Sequence, residues 1–358
     1  MHILKGYTKQ EISWMMYDWA NSAHSVIIVT LLPIFFDTVA GYTADSVSSM
    51  STWGYATSIA MLIVALAAPF LGVFGDIRGM RKKLFSFFML LGVAACAGMA
   101  FTPGMDFTSG PVAAGKVASL ILVLYIVSVI GFDASAIYYD AFLTDVTIED
   151  RMDKVSTMGY GLGYIGGSTI PLLIFLIMNL VGVPMLTCLA FVFGLTAVWW
   201  LAFSLPLLKN CEQTSGKPYE KGDVARSIKG VGTTIKEIIA NKPMLIYILS
   251  YFFYIDGVHT VISMATTYGT NLGLDSTGMM LALLLVQILG LPFCLLYIKC
   301  SEKFGARTMV GFGICVYMFI CIFAFFMNSL WQFWVLAVLC ATSQGGIQAL
   351  SRSMYGKL

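Results

Sequence analysis

Ten stretches, each about 20 apolar residues long, follow one another along this chain. They fall at 14–36, 51–74, 84–103, 117–143, 157–179, 184–207, 243–268, 277–298, 308–327 and 331–350. Each is long enough to cross a hydrocarbon core of about 30 Å. Of the 358 residues, 58% are hydrophobic and 11% charged. Soluble domains carry about 25% charged residues, so this apolar surface could not be covered in water. The fold class that follows is all-α and transmembrane, with every backbone group satisfied inside its own helix. The first run exceeds a signal-peptide core and has no small-residue cleavage site, so it reads as a retained helix.

Charge tests the helix count independently. With the N-terminus placed in the cytoplasm and sides alternating, 20 of the 21 Lys and Arg residues fall on the cytoplasmic side, and Lys116 alone falls outside. One missed or invented helix would scramble that partition. Net charge is only +2, which implies no nucleic-acid partner. The eight cysteines form no CxxC pair, and neither a metal site nor a cofactor is expected.

The loop after the second span, Gly75-Asp76-Ile77-Arg78-Gly79-Met80-Arg81-Lys82-Lys83, has a counterpart after the eighth, Ser301-Glu302-Lys303-Phe304-Gly305-Ala306-Arg307. Both contain acid-x-x-Gly-x-Arg on the same side of the membrane. Such internal repeats mark transporters built from duplicated bundles. Residues 208–242 are polar and carry seven Lys/Arg. They divide a first bundle (1–207) from a second (243–358). Within them Val224, Ile228, Val231, Ile235 and Ile238 recur at helical spacing, an amphipathic helix lying on the membrane surface or packed on the bundles.

The first of these loops resembles the G-x-x-x-D-x-x-G-R-[RK] motif of the major facilitator superfamily, with Met80 interrupting the usual order. Tyr17-Asp18-Trp19-Ala20-Asn21-Ser22-Ala23, Tyr254-Ile255-Asp256-Gly257-Val258-His259-Thr260 and Gln344-Gly345-Gly346-Ile347-Gln348-Ala349-Leu350-Ser351-Arg352-Ser353 are similar to the branch holding the vacuolar amino-acid effluxers linked to autophagy and their bacterial relatives. His24, where that branch leads one to expect an aromatic, departs from it. The resemblance implies a two-bundle transporter with a central cavity, amino acids as a substrate class, and twelve spans. Only ten are found here, so the chain reads as a fragment or a truncated product lacking the last two helices.

Charged groups at membrane depth are costly and usually face a cavity. Asp18, Asn21, Ser22 and Ser25 trace one polar stripe on the first span. In the seventh, Asp256, His259, Thr260, Ser263 and Thr267 trace another. Candidate solute-binding residues are Asp18, Asn21, Ser22, Asp256, His259 and Gln344; candidate proton-coupling residues are Asp133, Asp140, Asp256 and His259. Either stripe could instead bind helix to helix. Gly159, Gly163 and Gly167 form a small-residue ridge suited to close packing. Arg352 is expected to snorkel to the cytoplasmic interface. Gly75, Asp76, Arg78, Gly79, Arg81, Lys82, Glu302, Gly305 and Arg307 form a candidate gate, its basic residues pairing across the bundle interface with Asp145, Glu149 or Asp150.

No HExxH, GxSxG or Cys/His spacing supports an integral membrane enzyme. The reading is a monomeric secondary transporter of a small solute working by alternating access, with amino acids as the candidate substrate and protons as the candidate coupling ion. The alternatives are a non-transporting scaffold or a carrier of another solute such as a sugar or drug. The N-terminus is expected in the cytoplasm, in a bacterial plasma membrane or an organelle.

Overall fold

The computed structural model describes residues 4–43, 49–216 and 223–357. Among them, ten helices are long and apolar enough to cross a membrane. They are α1 (Lys9–Ala40), α2 (Ser49–Gly75), α3 (Met80–Met99), α4 (Pro111–Ala141), α5 (Glu149–Leu180), α6 (Met185–Asn210), α7 (Lys242–Asn271), α8 (Ser276–Phe304), α9 (Ala306–Phe325) and α10 (Leu330–Gly356). A linker helix, Asp223–Ala240, separates α6 from α7. The helices overrun the apolar stretches at their ends, because polar residues cap them. Thr8 opens α1 with a reciprocal capping box: its hydroxyl accepts from the Glu11 N–H, and the Glu11 carboxylate accepts from the Thr8 N–H.

Helices α1–α6 share one apolar core around Trp14, Tyr17, Phe85, Phe142, Phe193 and Trp200, which Leu284 and Ile298 of α8 join. A second core gathers Val258, Val286, Tyr297, Tyr317, Phe333 and Ile347 from α7–α10. We call these helix sets the first and second groups. Large apolar side chains such as Tyr55, Leu66, Phe252 and Phe253 point outward, as a lipid solvent requires. The most enclosed helices are α1 and α5; the most exposed are α2 and α7. The linker helix packs on α2 and α7. It buries Val231 and leaves Ile235 exposed; the side chains of Val224 and Ile228 lie outside the described residues.

Helix α5 is interrupted by a π-helical turn at Gly163–Ser168. The Tyr164 carbonyl accepts from both the N–H and the hydroxyl of Thr169, five residues on, closing the widened turn. The turn sits where α5 meets α1 most closely. A Cβ on Gly159 would strike the Asp18 carboxylate, on Gly163 the Ser22 hydroxyl, and on Gly167 the Trp19 carbonyl. The glycine ridge is therefore a packing surface for α1. The opposite side of the same turn carries Tyr164, whose ring slots against Gly290 of α8 and Gly345 of α10.

The two repeated loops also share a positive-φ glycine. Gly79 and Gly305, each three residues after its acid, both sit at φ +82, which disfavours a side chain, although ψ differs, -4 at Gly79 and 149 at Gly305.

Gly163→Val should collide with Ser22 and destabilise the protein by about 1–3 kcal/mol, whereas Gly257→Val on α7, where a Cβ meets open space, should be near neutral. Thermal unfolding of both purified variants checks the contrast.

Candidate functional site

Among the described residues, a deeply buried cation lies at the junction of the two groups. Arg352 lies near the C-terminal end of α10, one turn from where the helix stops, yet its side chain is only 6% exposed. The expected snorkelling is therefore wrong. The reason is that counter-charges and aromatic faces come to Arg352, so it need not reach for water. Its Nη2 donates to Asp18 Oδ2 on α1 (3.0 Å) and to the Ser156 carbonyl on α5 (3.0 Å). Its Nη1 donates to Asp140 Oδ1 on α4 (3.3 Å), and its Nε to the Ser156 hydroxyl (2.8 Å). The guanidinium carbon lies 4.5 Å from the ring centres of Trp14 and Tyr160 and 5.2 Å from that of Tyr139.

The walls of this site are built by α1, α4 and α5. Trp14 donates its ring N–H to the Tyr139 carbonyl (2.9 Å) and stacks on the Tyr139 ring at 4.5 Å. Asp18 is held against the Gly159 backbone. Three further contacts between α5 and α10 surround the site. The Ser156 hydroxyl donates to the Ala349 carbonyl (2.8 Å), the Ser353 hydroxyl to Asp153 (2.6 Å), and Lys357 pairs with Asp153 at 2.8 Å. Together they tie the two groups at the end of the molecule where the repeated loops also lie. We call it the basic end.

A second charged knot lies at the same end, inside the first group. Arg81 pairs with Asp145, both side chains nearly fully buried. Asp145 Oδ1 also accepts from the N–H and hydroxyl of Thr214 and of Ser215, at 2.8–3.1 Å. Gln213 accepts from the Gly79 N–H (2.9 Å) and donates to the Gly75 carbonyl (2.9 Å). Lys82 donates to the Cys211 carbonyl at 3.1 Å. The segment after α6 is thus strapped across the α2–α3 loop and the α4–α5 corner.

Comparison with known proteins gives the family and the fold. The family described as "Vacuole effluxer Atg22 like" matches residues 7–358. This chain belongs to that family. It is 42% identical over 364 residues to the MFS-type transporter YxiO of Bacillus subtilis, covering 99% of this chain and 82% of that protein. It is 23% identical over 241 residues to autophagy-related protein 22-1 of Penicillium rubens, covering 60% of this chain but 40% of the fungal protein. Among solved structures it is similar to the xylose transporter XylE. One form, bound to 6-bromo-6-deoxy-D-glucose, gives a TM-score of 0.64 at 16% identity over 96% of this chain and 84% of that one. A partially occluded inward-open form from E. coli gives 0.57 at 15% identity, over 97% and 87%. The fold is that of the major facilitator superfamily, and the chain is a multi-pass membrane protein of a transporter family and not an enzyme.

Within this Atg22-like chain the predicted site residues part company. Asp18 and Asp140 meet on Arg352. Asn21 is buried one turn above Asp18. Ser22 spends its hydroxyl on the Asp18 carbonyl (2.6 Å) and faces the glycines of α5. Asp133 keeps one carboxyl oxygen buried without a hydrogen-bond partner. Asp256 and His259 lie exposed on α7, and none of the contacts described here joins them to Asp18. Gln344 lines a different space, an apolar cavity of about 400 Å³ between α7, α8, α9 and α10. Gln287, which carries a buried amide oxygen without a partner, shares that cavity. His24 packs as the expected aromatic would: its ring stacks on Phe132 at 4.8 Å, and Nε2 lies 3.3 Å from the Ser128 hydroxyl.

The loop pairing also needs correction. Arg81 does find Asp145, but the pair stays within the first group and does not cross between groups. Glu149, Asp150, Arg78, Glu302 and Arg307 are exposed. Asp76 lies 3.9 Å from Arg81 and is largely exposed. Nothing in the sequence marked Thr214 and Ser215, because their role depends on a chain segment returning from α6.

Removing one member of a buried pair costs about 3–5 kcal/mol, so Asp145→Ala should lower stability by that order. Arg78→Ala, at an exposed position, should stay within about 0.5 kcal/mol. Denaturation of the two purified variants side by side checks this.

Proposed function

We propose that this chain is a secondary transporter that moves a small zwitterion, an amino acid, by alternating access. One observation carries the reading: Arg352 on α10 pairs with Asp18 on α1 and Asp140 on α4, so opposite charges face each other between the two groups. Those are the charges that an amino acid's own carboxylate and ammonium can replace. The second of them comes from α10, where the sequence suggested α7. Asn21, one turn along from Asp18, is placed to orient the ammonium. In this reading the two groups are the two bundles, divided by residues 208–242, and the monomer is the working unit.

The direction that fits the family description is efflux. The basic end is taken as cytoplasmic, from the partition of Lys and Arg, and the α5–α10 contacts then close the cytoplasmic side. The membrane that suits the Bacillus relative is a bacterial plasma membrane. Protons are the proposed coupling ion. Asp140, the half-exposed second carboxylate on Arg352, and Asp133 are the groups best placed to carry them; Asp256 with His259 is a further pair.

The experiment is amino-acid flux into proteoliposomes with and without a pH gradient. Asp18→Asn should slow flux at least about tenfold, equivalent to about 1.4 kcal/mol of differential binding. Asp140→Asn should leave flux measurable and blunt its response to the gradient. If both variants keep wild-type flux and pH dependence at matched expression, the charges serve only to hold helices together.

The repeated loop is proposed as the gate. Asp76→Asn and Gly79→Val should each lower the transport rate without lowering the amount in the membrane. Valine at φ +82 costs about 1–2 kcal/mol in backbone strain. A wild-type rate for both would reduce the loop to a topology signal.

A further inference from the structure

The site around Arg352 has a property that a simple helix-to-helix tie does not need. Remove the guanidinium in thought and what remains is built by the first group alone: Trp14, Asp18, Tyr139, Asp140, Ser156 and Tyr160. That remainder is two carboxylates, a hydroxyl, a carbonyl acceptor and three aromatic faces. The distances fit a flat, delocalised cation. Two ring centres stand 4.5 Å from the guanidinium carbon and a third 5.2 Å, and the acceptors lie 2.8–3.3 Å from its nitrogens. The box is also held without Arg352. Trp14 is hydrogen-bonded to the Tyr139 carbonyl, Tyr17 packs on Tyr139 at 4.7 Å, and Asp18 is wedged against Gly159. The first group thus supplies charges and ring faces arranged about a cation, and a side chain of the second supplies that cation.

If the two groups separate at the basic end, as alternating access requires, Arg352 leaves with α10. Asp18, whose side chain is 8% exposed here, would then face aromatic walls with no counter-charge. Such a carboxylate is strongly destabilised unless a cation or a proton replaces the one withdrawn. A sodium ion would gain little from the aromatic faces in the way a guanidinium does, because planar stacking on rings and fork-like donation to carboxylates are guanidinium traits.

We infer that the Arg352 pocket is a receptor for the side-chain cation of a basic amino acid, arginine above all, and that Arg352 is its tethered competitor. The inference rests on the amino-acid transport reading and names the substrate class within it. Arg352 in the pocket closes the basic end; a solute guanidinium occupies it while that end is open, and the returning Arg352 displaces it toward the cavity as the end closes. Occupancy and closure therefore alternate at this site, so the pocket couples the state of the gate to the presence of cargo without a separate sensor.

The test uses the full chain, purified, in two arms. In the first, Arg352→Ala is titrated with methylguanidinium and with L-arginine while thermal unfolding is followed. Saturable stabilisation by several degrees is expected for both probes. A smaller shift is expected in the wild type, where Arg352 competes for the pocket, and none from methylguanidinium when Asp18→Asn is added to the variant. L-leucine, which lacks the side-chain cation, should stabilise Arg352→Ala less than L-arginine does. In the second arm, wild-type proteoliposomes carry labelled L-leucine while unlabelled competitors are varied. L-arginine should inhibit at concentrations at least about tenfold below those of L-leucine itself, and Asp140→Asn should erase that advantage. If Arg352→Ala does not fold, the wild-type competition decides alone. Leucine flux that arginine does not inhibit overturns the receptor and leaves the amino-acid reading intact. Guanidinium stabilisation without flux of any amino acid supports the receptor and removes that reading. Absence of both stabilisation and arginine competition overturns the receptor.

Discussion

A guanidinium buried in a membrane-spanning bundle dictates much of what surrounds it. Left alone there, Arg352 would cost several kcal/mol to desolvate. It is tolerated because α1 supplies a carboxylate, α4 a second carboxylate, α5 a hydroxyl and a carbonyl, and all three helices an aromatic face. Satisfying one cation in this way fixes three helices of the first group relative to one helix of the second. The aromatic faces contribute in the same sense: a desolvated cation over a ring gains about 2 kcal/mol.

The second ionic knot obeys the same rule with a different consequence. Arg81 and Asp145 are as buried as Arg352 and Asp18, but every partner named for them lies between α2 and residue 215. No motion between the two groups has to break it. It serves to keep the α2–α3 loop and the α4–α5 corner in one piece, so that a push on either moves the first group as a body. The Glu11 carboxylate extends that body to the start of α1, accepting from Thr147 (2.7 Å) and from both Nε and Nη2 of Arg151 (2.8 and 2.7 Å). The molecule thus separates charge pairs within the first group from those, on Arg352 and Lys357, that join the two groups.

Much of this was legible in the sequence, and the boundary of legibility has a physical origin. Length and hydropathy fix the number of helices, and the sidedness of Lys and Arg checks it, because both depend only on local composition and the bilayer. The acid-x-x-Gly-x-Arg loops were equally plain, and the shared φ of Gly79 and Gly305 shows why glycine recurs there. Periodicity showed which face of α1 is polar, but not what that face meets. Arg352 and Asp18 are 334 positions apart, and nothing local to either announces the other. Arg352 was misjudged because a basic residue near a helix end normally reaches water; the three aromatic residues that hold it back lie on other helices. Asp256 and His259 show the same boundary: periodicity puts them on one stripe of α7, and what that stripe meets is again not local, α7 being among the most exposed helices here.

Helix α5 explains how the two groups can be joined at one place without being fused. One side of it is bare of side chains, at Gly159, Gly163 and Gly167, and lies flush on α1. The other side projects Tyr164 into notches at Gly290 and Gly345. A ridge of glycines offers broad, short-range contact and no interlocking groups, while a ring in a notch is a single discrete engagement that can be lost as a unit. The polar contacts follow the same division, since Ser156 and Asp153 of α5 reach α10 through a few separable hydrogen bonds. The π-turn lies between these two faces. Both contacts are made within it, since Gly163, Tyr164 and Gly167 all fall in Gly163–Ser168. One short irregular stretch of α5 thus carries the packing on α1 and the engagement with α8 and α10.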